Sequence, residues 1–96
     1  MSYRFHPEAE AELNLSIDDY EAIEPGLGYD FALEVYAAIH RILDFPKAWA
    51  ALDDEVRRSL VKRFPYGVLY SEASDGILIL AIMNLHRAPD YWKHRI

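Results

Sequence analysis

Two stretches of helical periodicity come first along the chain, and strand-like segments follow. Ala9, Leu13, Ile17 and Tyr20 recur at helical spacing, with Glu10, Glu12, Asp18 and Glu21 on the other faces. Pro7 suits a first helical turn, and Glu8 and Glu10 sit well against the helix dipole. The pattern predicts a helix from Pro7 to near Ile23, stopped before Pro25-Gly26-Leu27-Gly28. That loop is short enough to make the next helix an antiparallel neighbour. In the second helix Phe31, Val35, Ala38, Ile42 and Phe45 form one stripe, widened by Ile39 and ended by Pro46.

The remaining segments read as strands. Tyr3-Arg4-Phe5 alternates ahead of a proline and predicts a short first strand. Lys47 to Glu55 reads as a connector whose Trp49 and Leu52 tuck beneath the sheet. Val56 to Arg63 predicts a strand with basic residues on both edges, interrupted at Phe64-Pro65. Val68 and Tyr70 then alternate with Gly67, Leu69 and Ser71, the chain turns at Ser74-Asp75-Gly76, and Ile77 to Leu85 returns as an apolar run. This is a hairpin pattern, with Asp-Gly supplying the positive φ of the turn. Because the returning strand is apolar on both faces, it should be central and covered on each side. Tyr91 to Ile96 reads as a terminal tail, helical or frayed. Segregated elements of this kind predict a single α+β domain over residues 1–96. In it an N-terminal strand and an antiparallel helical hairpin pack on a small antiparallel β-sheet.

Charge adds an asymmetry. The chain carries −6 overall, yet residues 1–55 hold thirteen acids against Arg4, Arg41 and Lys47, while residues 56–96 hold seven bases against Glu72, Asp75 and Asp90. One reading is an acidic helical side and a basic sheet side that meets an anionic partner; the other is a set of solvated faces. Without cysteine there is neither a disulfide nor a thiolate metal site. No apolar run approaches the ~20 residues of a membrane span, and no signal peptide is recognisable, so a cytoplasmic protein without membrane contact is expected. His6, His40 and His94 share no metal-ligand spacing, and no metal or other cofactor is expected.

Candidate chemistry gathers where the covered strand ends, at His86, Arg87 and Tyr91. Metal-independent RNA cleavage needs a base for the ribose 2′-OH, positive charge on the phosphate and a proton donor for the leaving oxygen. His86 is of the residue type that serves as acid or base, Arg87 and Arg63 offer bidentate phosphate donors, and Tyr91 offers stacking or a proton. Arg57 and Arg58 extend this into a phosphate track. Each residue also has a plainer role. A lone His at a strand end serves as a hydrogen-bonded structural residue, and Tyr91-Trp92 closes the open end of the core. Arg63 and its neighbour Lys62 solubilise a strand edge.

Several features in order resemble the RelE/ParE superfamily, toxins of type II toxin–antitoxin modules, and its ParE-like branch in particular. These are the acidic helical hairpin with Pro25-Gly26-Leu27-Gly28, the basic strand with Arg63-Phe64-Pro65-Tyr66, the strand holding Tyr70, and His86-Arg87-x-Pro89-x-Tyr91-Trp92. The resemblance spans nearly the whole chain. It implies a cytoplasmic growth inhibitor held in a hetero-oligomer by a cognate antitoxin, of the kind associated with plasmid stabilisation. RelE-like members cleave mRNA on the ribosome, whereas characterised ParE-like members inhibit DNA gyrase without being nucleases. By resemblance Arg87 and Tyr91 match the nuclease arginine and tyrosine, with Lys62 and Arg63 in the place of that branch's basic strand residues. The acidic pI near 5.0 and Pro89 inside the terminal motif favour the gyrase reading. Three roles stand open: gyrase inhibitor, cofactor-free endoribonuclease, or a degenerate toxin kept as an antitoxin-binding partner. An antitoxin segment is expected near Phe31, Val35 and Ile39, which fit a buried core equally well, and the basic pair Arg57 and Arg58 is expected to contact a partner.

Overall fold

In the computed structural model, which describes residues 2–96, the chain runs β1 (Tyr3–Phe5), α1 (Pro7–Ile23), α2 (Leu27–Asp44), β2 (Ala50–Ala51), β3 (Arg57–Leu60), β4 (Tyr66–Ala73) and β5 (Gly76–Asn84). A short 3-10 turn follows at Lys93–Arg95. The five strands form one sheet in the order β1-β5-β4-β3-β2. The predicted α+β class and helical hairpin are present, and β2 to β5 are antiparallel. The sheet is mixed, however, because β1 lies parallel to β5, with Tyr3 opposite Ile77 and Phe5 opposite Ile79. The connection between them carries the α-helical hairpin as well as β2 to β4, ample for the crossover that a parallel pair requires.

Local chemistry sets the helix ends. His6 Nδ1 accepts from the Glu8 N–H at 3.1 Å and Pro7 occupies the first turn of α1. α2 begins without a capping side chain of its own. Glu21 of α1 supplies one instead, its carboxylate accepting from the N–H groups of Gly26 and Gly28 at 2.9 and 3.1 Å. The helix start is thereby tied to its neighbour. Gly28 also lets the two helices approach closely, since a Cβ there would lie 2.5 Å from the carbonyl oxygen of Ile17.

Alternation along the strands divides the interior into two cores. Tyr66, Val68 and Tyr70 of β4 and Ile77, Ile79 and Ile82 of β5 face the helices and meet Leu13, Phe31, Val35, Ile39 and Ile42. Phe31, Val35 and Ile39 are 0% exposed, which is the buried-core reading of these three residues. They hold α2 to the sheet and offer a partner no surface. Phe45, expected in the same stripe, is 66% exposed because the chain leaves the helix there, with φ −141°.

The opposite face carries the second core. A bulge at Leu80 shifts the register, so that Leu69 pairs with Ala81 and Tyr70 with Ile79. Leu80 and Ala81 both project to this side, where they pack with Leu69, Met83, Val56 and Trp92. The terminal residues are therefore not a free tail. Trp92 is 2% exposed and donates its indole N–H to the Pro89 carbonyl at 2.7 Å. β5 is central and covered on both sides, as its composition predicts, but the second cover is the chain's own C-terminal segment.

Gly28→Ala should destabilise the protein by about 1–3 kcal/mol through overpacking between α1 and α2. Gly26→Ala, with open space around the new methyl group but a φ of +91°, should cost only about 1 kcal/mol. Urea denaturation of the two variants checks the order.

Candidate functional site

Glu12 projects from α1 towards the edge of β5 that lies beyond the end of β1, where β1 no longer pairs with it. Its Oε1 accepts from the Ile82 N–H at 3.0 Å, doing the work of the missing strand carbonyl. The same carboxylate is held by Arg95 in a two-pronged pair at 2.8 and 3.1 Å. Arg95 is only 5% exposed at its side chain and Glu12 15%. A further N–H of Arg95 reaches the carbonyl of Leu80, at the bulge, at 3.0 Å. The bulge that opens the second core thus also presents the oxygen that receives Arg95.

Around this pair the C-terminal segment is ordered. The Arg87 guanidinium lies 3.6 Å from Glu12 and 3.9 Å from the centre of the Tyr91 ring, and the Arg95 guanidinium lies 5.0 Å from the centre of the same ring. His94 meets Glu8 at 2.8 Å, and this contact holds the Glu8 carboxyl below its ordinary value. The Tyr91 hydroxyl is buried, with no hydrogen-bond partner in good geometry among the described residues. Burial, reinforced by the Glu12 carboxylate nearby, pushes its pKa far above the usual 10. Tyr70 is likewise pushed up to about 12 by burial, and its hydroxyl donates to the Pro46 carbonyl.

The candidate residues fall into distinct settings. Arg63 has φ +71°, follows β3 in the loop that leads to β4, and lies 3.7 Å from Asp30 of α2 and 5.3 Å from the Phe64 ring centre. Lys62 beside it is exposed. His86 is exposed just past β5, its backbone N–H donating to Asn84 Oδ1 at 2.9 Å. The Leu85 N–H donates to the Pro65 carbonyl at 2.9 Å, which brings the Arg63 loop and the His86 segment to one end of the sheet. Arg87 and Tyr91 stand together on the α1 side of that end. Arg57 and Arg58 do not form one track, because neighbours on a strand point to opposite faces. Arg57 pairs with Tyr70 on the helical face and donates to the Trp49 carbonyl at 2.8 Å, whereas Arg58 pairs with Leu69 on the other. The sheet's cationic side is correspondingly less open than the charge count suggests, since Trp92 and Tyr91 cover part of it.

Glu12 and Arg95 escaped the sequence reading: one counted as a solvated helix position, the other as a terminal charge. A period of 3.6 places Glu12 away from the stripe, and nothing local links it to a partner 83 positions on. Among the described residues no group of three or more His, Asp or Glu side chains is placed to hold a metal ion. No helix there is long and apolar enough to cross a membrane.

An α-helical hairpin on one face of this five-stranded mixed sheet is an α+β fold consistent with the one that the RelE/ParE resemblance implies. A chain of the structure described as "Chromosomal ParDE TA system from P. aeruginosa" has this fold, with a TM-score of 0.77 over 90% of this chain and 97% of that one. The two are 20% identical in sequence. No protein-family model and no curated protein matches the sequence.

Raised tyrosine pKa values make stability depend on alkali. The neutral phenols of Tyr70 and Tyr91 are favoured by the fold, so their contribution is whole below pH ~10 and is lost as pH rises through the folded values. In an ultraviolet titration of the seven tyrosines, at least these two should ionise only with alkaline unfolding. Tyr91→Phe should lose less stability than the parent between pH 10 and 12.

Proposed function

We propose that the chain is the toxin of a type II toxin–antitoxin module, cytoplasmic and held inactive in a complex with a cognate antitoxin. The observation that carries this reading is the fold shared over nearly the full length of both chains with a member of a ParDE system. Growth inhibition by binding DNA gyrase is preferred over RNA cleavage.

The state of the candidate catalytic groups supports that preference. A proton donor for the leaving oxygen should have a pKa near the working pH, and the Tyr91 hydroxyl is shifted the opposite way and buried. Arg87 is already engaged by Glu12 and Tyr91. Binding phosphate would require it to give up both. His86 has its backbone ordered by Asn84, but no side-chain hydrogen bond to an orienting group occurs among the described residues. The acidic chain also attracts ribosomal RNA poorly at long range.

One feature favours the alternative, a ribosome-dependent endoribonuclease using His86, Arg87, Tyr91, Arg63 and Lys62: the Arg63 loop and the His86 segment meet at one end of the sheet. Under the binding reading these residues form a contact surface and none is catalytic. A degenerate toxin would retain only the antitoxin contact.

Pulse labelling after induction of the protein alone distinguishes the three. Early loss of DNA synthesis with broken DNA is expected, and His86→Ala and Tyr91→Phe should remain toxic. Early loss of translation with cut transcripts, abolished by both substitutions, would establish the nuclease. Unimpaired growth would identify the degenerate case.

A further inference from the structure

β2 covers only part of the outer edge of β3. Ala50 and Ala51 stand opposite Arg58 and Arg57, and the chain before Ala50 leaves the sheet. The Val61 N–H donates inward to the Tyr66 carbonyl at 2.9 Å, so strand alternation turns the Leu60 N–H and C=O outward, past the end of β2. Leu60 is 54% exposed. Beside it opens a groove of about 500 Å3 whose apolar lining comes from Trp49, Ala50, Leu60 and Val61. Its charged lining is wholly cationic: Arg41, Arg58 and Lys62. Neither Arg41 Nη2 nor Arg58 Nε, both buried, has a hydrogen-bond partner among the described residues. Gly67 leaves room for Arg58 to lie across β4, since a Cβ there would come 2.9 Å from Arg58 Cδ.

From this edge we infer that, independently of the growth-inhibiting role proposed above, the groove binds an extended protein segment alternating apolar and acidic side chains. The segment adds a strand beside Leu60. Its backbone pairs with the Leu60 N–H and C=O, one apolar side chain enters the space beside Trp49 and Val61, and an acidic neighbour meets Arg58 and Lys62. The other occupants fit less well. A second copy pairing edge to edge would bring Arg58 and Lys62 towards their own counterparts, which like-charge repulsion disfavours. A nucleic acid strand would use the cations but not the apolar wall. The aromatic there, Trp49, is half-buried with its indole N–H already given to the Arg41 carbonyl at 3.3 Å.

The test is an NMR titration of the isotopically labelled protein with an acetylated, amidated heptapeptide that alternates valine with glutamate and threonine. The Leu60 amide and Trp49 indole signals should shift first, and the Leu60 amide should become protected from exchange. Leu60→Pro removes the outward N–H without touching the β4 pairing and should weaken binding about tenfold. Lys62→Glu, at an exposed position, should weaken it as well, and a peptide with lysine in place of glutamate should not bind. Absence of binding, shifts confined to the helices, or equal affinity for the lysine peptide would overturn the inference. So would tighter binding of a short single-stranded RNA at the same residues, or a dimer of the free protein that Leu60→Pro dissociates.

Discussion

Glu12 takes hydrogen bonds from two separate parts of the molecule, and the arrangement of the second face of the sheet depends on it. From β5 it receives the Ile82 N–H left unpaired where β1 stops; from the far end of the chain it receives the guanidinium of Arg95. Neither demand arises without the other features of the fold. β1 is short because Pro7 starts a helix immediately after it, and that helix carries Glu12 to the bare edge. Arg95 reaches the same carboxylate only because the Leu80 bulge supplies a carbonyl to hold its other N–H.

The ion pair fixes position more than it adds stability. Burying a guanidinium and a carboxylate costs several kcal/mol of hydration, and good geometry roughly returns that cost. The favourable energy at this end of the chain comes from Trp92, whose removal from a packed core would cost about 3–5 kcal/mol. A single aromatic ring can settle on an apolar face in more than one register, however. The pair selects one, and with it the stacking of Arg87 on Tyr91. For a chain of 96 residues, a second core under the terminal segment is a substantial part of all the apolar surface available for burial.

Elements whose signals are local were legible in the sequence. The Asp75-Gly76 turn and its flanking apolar runs gave the β4–β5 hairpin, and the spacing of Phe31, Val35 and Ile42 gave α2. The long strand expected from Val56 to Arg63 is regular only over Arg57–Leu60, and beyond Val61 the positive φ of Arg63 breaks the extended run. What the sequence hid was non-local: the parallel entry of β1 and the face of the sheet that Trp92 covers. The same holds for Glu12, whose polar character suits solvent as well as a buried partner. The mixed fate of Arg57 and Arg58 was readable from period-two alternation, but charge grouping drew the eye first.

A C-terminal segment held in this way presents Arg87 and Tyr91 as one rigid surface, suited to contact and poorly suited to proton transfer. That is the physical basis for preferring a binding mechanism over a catalytic one. The most direct measurement is a double-mutant cycle in urea on Glu12→Gln and Arg95→Met. Each single substitution should be strongly destabilising, by about 3–5 kcal/mol where it strands a buried charge, and the double variant should recover at least about 2 kcal/mol relative to their sum. Additive effects within about 0.5 kcal/mol would show that the two residues act separately, and that Glu12 does not hold the end of the chain in place.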